Sequence, residues 1–497
     1  MPTALQRGSA PTRESLPQQP ARTGLVLLAA ILLGGCATGP VQIYRDVLRE
    51  AFSTPPDAEV SDAMLAETRF AYAHARFGDD PQAVLVLAYR ESGEDKWVTA
   101  AGQMVVVRGE RVVRTIGLRK DLAGVTAIAP DPVGRATPRE LLDMQWEAVL
   151  DWTGQAGAGY RMRTRYLDHG FETVELRTGD SRELHRIEER VQIEPGGIEY
   201  SNWFALDGDG RVIRSRQRLH PDTKPLALTY IRRPPADAAP VDAMPSPADG
   251  PDRPEVPHAD EADHVAVTLA DGRRVVLPPG PQRLESLLLA AGEPGATWWP
   301  AARLYRVDAA SVDAAKRVRT QLSERLVTVA RRALVKGEVD ASEAIERLAE
   351  TLPPAAPGEW LEMELDLDRV RLDISLNKLM PPGEYLLLAP RRPDGLRIDG
   401  LVRAAGHRPL VAAHGVAEIV AVEQRRAGAD RDFTWLIQAE GEIKRVPVAF
   451  WNHAHVLPRT GATLLFGIDP ELLPRRHAEL NHELARFYAS LPVEARR

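Results

Sequence analysis

FAYAHARFGDDPQAVLVLAYRESGEDKWVTAAGQMVVVRGERVVRTIGL, Phe70–Leu118, alternates apolar and polar residues and breaks the alternation at Gly-Asp-Asp-Pro, Ser-Gly-Glu and Arg-Gly-Glu. A period of two sends successive side chains to opposite faces of an extended chain, and the breaks carry residues that favour tight turns. The run predicts an antiparallel meander. Beyond it, alternation resumes in YRMRTRYLD, ETVELRT, LHRIEERVQI and YSNWFALDGDGRVIRSRQRLH. A mainly β fold follows for the first half, an antiparallel β barrel or half-barrel with one or two helices. Two stretches have helical spacing. One is Val41–Phe52, with Ile43, Val47 and Leu48 on one face; the other is Pro138–Trp152, with Leu141, Leu142, Trp146 and Leu150 at three- and four-residue steps. The acidic pair in Asp207-Gly208-Asp209-Gly210 suggests a calcium loop, but Arg211-Val212-Ile213 follows where more oxygen ligands are needed. A hairpin turn is the reading there.

Between Pro234 and Asp263 the texture changes to PPADAAPVDAMPSPADGPDRPEVPHADEAD, with eight prolines and no aromatic, leucine or isoleucine. Such a segment cannot bury enough apolar surface to offset the entropy of ordering, so residues 234–263 read as a disordered linker between two folded bodies that need not touch. After it, HVAVTLADGRRVVLPPG predicts a hairpin turning at Asp271-Gly272, QRLESLLLAAG a helix, and Ala302–Val307 a strand. This order suggests a β-grasp-like unit over residues 264–390. A helical hairpin, 308–352, interrupts it: Val312, Ala315, Val318, Leu322, Leu326 and Val329 keep helical steps until Lys336-Gly337-Glu338, and Ile345 and Leu348 repeat them. DRVRLDISLNKLMPPGEYLLLAP reads as a return to extended structure. Residues 391–470 read as a second small β-rich domain. From Glu471 to the end at 497, Leu473, Leu480, Leu484, Phe487 and Leu491 form one stripe of an amphipathic helix, docked on its own domain or offered to a partner or membrane surface.

The compartment is legible at the start of the chain. GLVLLAAILLGG is a twelve-residue apolar run behind a basic leader, too short to span a bilayer and of signal-peptide length, so residues 1–35 read as a leader. The single cysteine, Cys36, ends Leu33-Gly34-Gly35-Cys36, which looks like a bacterial lipobox whose thiol takes a diacylglyceryl group. Acyl chains on one N-terminus give stable anchoring. Ala37 stands where an inner-membrane retention signal carries Asp, which directs the expectation to the outer membrane, lipid-anchored and facing the periplasm. The formal charge of -7 makes nucleic acid an unfit partner.

Chemistry-bearing patterns are sparse. There is no G-x-S-x-G elbow, phosphate loop, dinucleotide fingerprint or H-E-x-x-H, and no cofactor is implied. His453-x-His455 places two potential metal ligands on one strand face, without a third nearby, so no metal is expected. Glu362, Glu364, Asp366 and Asp368 alternate; as a pair across a cleft they would resemble a glycosidase, but charges at every second position more often mark a solvated strand face. Trp298, Trp299, Trp451, Asn452 and His453 are candidates for glycan contact, rings stacking on sugar faces and Asn or His bonding hydroxyls, against the plainer reading of core and turn packing. Lys96-Trp97 and Trp203 carry the same ambiguity, with packing favoured.

The lipobox, YRDVLREAF, VLAYRESGEDKWVTAAGQMVVVRGERVVRTIGL and NWFALDGDGRVIRSRQRLHP together resemble the group 4 capsule lipoprotein family, over residues 36–232. VTLADGRRVVLPPG, LDLDRVRLDISLNKLMPPGEYLLLAP, WNHAHVLPRTGATLLFGI and the terminal helix resemble the capsule-biogenesis GfcC family, over residues 263–491. The first resemblance implies a β-rich outer-membrane lipoprotein working with exopolysaccharide genes, residues 36–233. The second implies two β-grasp domains, a helical hairpin in the first and a C-terminal amphipathic helix, with no catalytic set. It also implies a basic residue marking a pocket, for which Arg369 and Arg371 are the candidates. The combined expectation is a non-enzymatic lipoprotein that assists export or assembly of capsular polysaccharide, its partners the outer membrane, the polysaccharide and its export machinery. A polysaccharide-processing enzyme and a scaffold that binds no glycan are the alternatives.

Overall fold

Twelve strands follow one another in the first half: β1 (Tyr72–Phe77), β2 (Ala83–Glu91), β3 (Glu94–Val98), β4 (Met104–Arg108), β5 (Arg111–Ile116), β6 (Leu122–Ala127), β7 (Gln145–Trp152), β8 (Tyr160–Glu175), β9 (Ser181–Glu194), β10 (Ile198–Leu206), β11 (Val212–Gln217) and β12 (Leu226–Arg232). They form one antiparallel sheet in the order β5-β4-β3-β2-β1-β12-β11-β10-β9-β8-β7-β6. The computed structural model describes residues 57–154, 157–175, 181–233, 264–290 and 297–493. Cys36, the stretch 41–52 and the segment 234–263 lie outside these. The described residues belong to one compact unit, Gly39–Arg497.

The two ends of the sheet, β5 and β6, are consecutive in the chain, so the sheet curls into a nearly closed barrel. At the seam the Leu122 N–H donates to Thr115 Oγ1 at 2.9 Å, and Thr115 donates to Asp121 at 2.9 Å. Register shifts in the β2–β3, β4–β5 and β6–β7 pairs supply local bends of the kind that closure needs. β2 and β4 read AVLVLAYRE and MVVVR, near-continuous apolar runs, and are buried almost throughout. Strands covered on both faces read this way. The second half supplies the outer cover, and Leu372 and Ala412 join the barrel's own buried cluster.

The stretch Pro138–Trp152 is not one helix. Only Pro138–Leu141 is helical, started by a capping box of Thr137 and Glu140, and Gln145–Trp152 is β7. Trp146 and Leu150, four apart, share a face in a helix and in a strand alike. Ala148 and Trp152, also buried, complete a two-residue period that the sheet uses. Asp207 does turn a hairpin, its Oδ1 accepting from the N–H groups of Asp209 and Arg211.

The second half holds two five-stranded sheets. In the first, Val265–Leu269 runs parallel to Gly383–Leu388, which pairs on its other side with Arg303–Arg306. Asp271-Gly272 turns the expected hairpin, and Leu284–Leu289 is the expected helix. The inserted helices are Ala309–Val335, capped by Asp308, and Val339–Thr351. In the second sheet, Gly395–Gly400 is parallel to Thr463–Phe466. The terminal helix, Leu480–Ser490, buries Leu480, Leu484, Phe487 and Tyr488 in one cluster with Leu326, Ile345, Tyr305 and Leu465, and so docks on its own half. Among the described residues no helix is long and apolar enough to cross a membrane.

The expectation of extended structure from Asp368 onward fails at its start, because Leu367–Leu372 is a helix. Asp366 caps it by accepting from the Asp368 N–H, and the Val370 N–H donates to the Asp366 carbonyl. The alternating acids are therefore not a solvated strand face. Asp366 and Asp368 are buried at the start of this helix.

Candidate functional site

The tight turn Glu91-Ser92-Gly93-Glu94 joins β2 to β3, with positive φ at Ser92 and Gly93. In β3 the neighbours Lys96 and Trp97 point to opposite faces. Trp97 is buried against Tyr230, ring centroids 5.5 Å apart. Lys96 goes the other way, to the helix Leu367–Leu372 of the second half. Its Nζ donates to Glu91 Oε1 at 2.5 Å and to Asp368 Oδ1 at 2.6 Å. Arg371, one turn along that helix, donates to both oxygens of Glu91 at 2.7 and 3.2 Å and lies over the Tyr89 ring at 3.9 Å. Arg114 of β5 donates to Asp368 Oδ2 at 3.1 Å and to Asp366. Farther along, Arg392 grips Asp151 of β7 through two bonds of 2.5 and 2.7 Å.

These groups lie where charge is costly to bury, so each must be answered by an opposite charge and by hydrogen bonds. Burial works to raise the carboxyls of Asp368 and Glu91, yet Lys96, with Arg114 for the first and Arg371 for the second, outweighs it and holds both below the usual carboxylate range. Burial likewise works against the Lys96 charge, and Asp368 and Glu91 overcome it. The two halves are thus locked by an alternating lattice of buried charge. Close backbone approach adds to it. Gly157, at φ +80°, sits where a Cβ would lie 2.8 Å from Leu457 of the second half.

Beside the lattice the two halves part and leave a cleft of about 750 Å³. Its barrel wall is the seam of β5 and β6 with Arg108 of β4; its other wall holds Trp298, Asp366, Arg369, Arg391 and Arg392. Trp298 lies on β6 at Gly124, where a Cβ would meet its ring at 3.3 Å, so the glycine admits the indole. The Arg392 guanidinium is 5.7 Å from the centre of that ring. Two carboxyls of the cleft have raised affinity for a proton. Burial pushes Glu94 up against the opposing pull of Arg108, and burial pushes Glu364 up although the Asp366 N–H donates to it.

Trp298, Trp299 and Arg369 come together at this cleft, although the Trp299 side chain packs mainly into the apolar core of the first module. Arg371 is buried in the lattice and closed to the cleft. Trp451, Asn452 and His453 belong to a loop outside it. Phe450 and Trp451 are 98% and 73% exposed, Asn452 accepts from the Ala449 N–H, and His453 Nδ1 lies 3.2 Å from the Phe450 carbonyl. His455 faces Glu418 at 3.9 Å, and among the described residues no three His, Cys, Asp or Glu are grouped to hold a metal. Cys36 lies outside the described residues. The sequence pattern raised Lys96 only as a glycan-contact or packing residue and Asp368 only among the alternating acids, and passed over Glu91 and Arg114; a lysine between buried strand positions is the signal for the pairing.

Residues 45–231 match the family described as group 4 capsule polysaccharide lipoprotein gfcB, YjbF. Residues 262–391 match capsule biosynthesis GfcC, N-terminal, and 404–491 match capsule biosynthesis GfcC C-terminal. The chain is 25% identical to the lipoprotein YjbF of Escherichia coli (strain K12) over 209 residues, 42% of this chain and 96% of that one. It is 26% identical to protein YjbG of the same organism over 206 residues, 40% of this chain and 80% of the relative. Among solved structures, the lipoprotein YmcC of Escherichia coli (K12) is 21% identical with a TM-score of 0.35, covering 40% of this chain and 99% of that one.

Proposed function

The chain belongs in its first half to the group 4 capsule polysaccharide lipoprotein family and in its second to the capsule biosynthesis GfcC family, and from this we propose that it is an accessory lipoprotein for assembly or export of capsular or extracellular polysaccharide. In this reading Cys36 carries the lipid, the anchor is in the outer membrane, and the folded body faces the periplasm. It binds and positions, and makes or breaks no bond. The carrying observation is that both kinds of capsule module sit in one body, joined through Lys96, Glu91, Arg371 and Asp368. Such a joint suits two activities needed at one place. Deleting the chain should abolish or sharply reduce surface polysaccharide, and the intact chain should restore it; unchanged export would sink the reading. Cys36→Ser should leave the protein in the soluble envelope fraction and fail to restore export.

A processing enzyme is favoured by one observation, the raised carboxyls of Glu94 and Glu364 in the same cleft. Two carboxyls are the equipment of glycoside hydrolysis. Here each already serves a structural bond, Glu94 with Arg108 and Glu364 with the backbone of Asp366. Release of new reducing ends from purified exopolysaccharide, lost in Glu364→Gln, would establish that reading instead.

A further inference from the structure

We infer that the cleft at the barrel seam takes a saccharide chain bearing carboxylates, a deeper form of the polysaccharide reading on which it rests. Arginines and carboxylates line the cleft in equal number, but they do not stand at equal depth. The Glu94 side chain is 10% exposed beneath Arg108 at 42%, and Asp366 is 6% exposed beside Arg369 at 42%. Asp368 is 2% exposed and Arg114 22%. The carboxylates of Asp151, Asp366 and Asp368 are engaged by arginines, and although Glu364 and Glu440 stand nearly level with Arg369 and Arg459, each guanidinium has five N–H donors and spends only some of them on its partner. Arg391, exposed on the same wall, has no ion-pair partner among the described residues. The wall therefore offers donors and local positive charge. A planar carboxylate matches the guanidinium fork in a way that a hydroxyl does not.

Trp298 supplies the other half of recognition. Its ring rests on Gly124 at the cleft wall, beside the arginines, and an indole face accepts the C–H face of a pyranose while the sugar's substituents stay free at the ring edge. The floor is also suited to an extended chain. β5 and β6 end the sheet without pairing to each other, so edge backbone groups run along the seam. The volume, about 750 Å³, falls in the range of roughly 300–1,000 Å³ common for ligand clefts. Because the summed charge of the lining is balanced, recognition comes from fork geometry at short range, and affinity should fall only mildly with salt.

The test is calorimetric titration of the full mature protein with a short oligogalacturonate and with its carboxyl-reduced, neutral counterpart. The acidic oligomer should bind at least about tenfold tighter. Trp298→Ala and Arg369→Gln should each weaken it by about fivefold to tenfold without lowering the melting temperature, and Arg391→Gln should weaken it as well. Equal binding of the neutral oligomer, or wild-type affinity in the folded Trp298→Ala and Arg369→Gln variants, overturns the assignment. Unchanged export on deletion would overturn the export reading alone; intact export dependence with no preference for the acidic oligomer would overturn this one alone.

Discussion

Lys96 sits in mid-strand, shut off from water between Glu91 and Asp368. Removing its charge leaves two carboxylates in one buried space, and breaking a buried pair in this way costs about 3–5 kcal/mol. We expect Lys96→Met to lower the unfolding free energy by that order in chemical denaturation. The acid side has its own signature. The folded-state affinity of Asp368 for a proton is depressed, so its contribution is present above the unfolded value, about 3.9, and is lost as pH falls through the lower folded value. The destabilisation caused by Asp368→Asn should accordingly be full at pH 7 and shrink below about pH 4, measured as the difference in unfolding free energy from wild type. A difference that grew on acidification would contradict the pairing. In the sequence Lys96 and Trp97 announce opposite faces, but one of the two partners of Lys96, Asp368, lies 272 residues away. No local pattern carries that distance, and so the sequence shows Lys96 only as the neighbour of Trp97 in a strand.

At the scale of elements, legibility depended on whether one period excluded the other. The long helix Ala309–Val335 carries its apolar steps over many turns and begins at Asp308, and nothing about it is ambiguous. Leu367–Leu372 is only six residues long, too short for a period, and is fixed by the Asp366 cap and by burial of Leu367 and Val370. Its two acids alternate in sequence because one is the cap and the other lies in the first turn. The terminal helix was legible as amphipathic, while what covers its stripe was not, since a helix docked inside and one offered outside have the same pattern. Phe487 is 4% exposed within the cluster that joins the terminal helix to the inserted hairpin. Large-to-small changes at such a site cost about 3–5 kcal/mol, so Phe487→Ala should be strongly destabilising in thermal or chemical unfolding. A loss below about 1 kcal/mol would mean that the helix leaves its groove readily.

For the whole molecule, the sequence read as two bodies on a tether, and the structure makes them one unit. The difference has a physical cause. Composition identifies a segment that cannot build a core, as at 234–263, but says nothing about whether the bodies it joins are complementary. That complementarity resides in charges from both halves, Glu91, Lys96 and Arg114 on one side, Asp366, Asp368 and Arg371 on the other, together with Leu372 and Ala412 packed into the barrel's cluster. The cleft inherits this, because Trp298 and Arg369 come from one half and Arg108, Arg114 and Gly124 from the other. If the joint is held by its own contacts, covalent continuity through 234–263 serves only to keep the effective concentration high. A protease site placed within 234–263 tests this directly. After cleavage the two fragments should still co-elute in size exclusion at micromolar concentration, and moderate salt should not part them, since buried pairs are weakly screened. Arg371→Glu, which sets a carboxylate against Glu91, should let the cleaved fragments separate while the uncut chain stays folded. Fragments that separate in the wild type would show that the linker, and not the charge lattice, holds the cleft together.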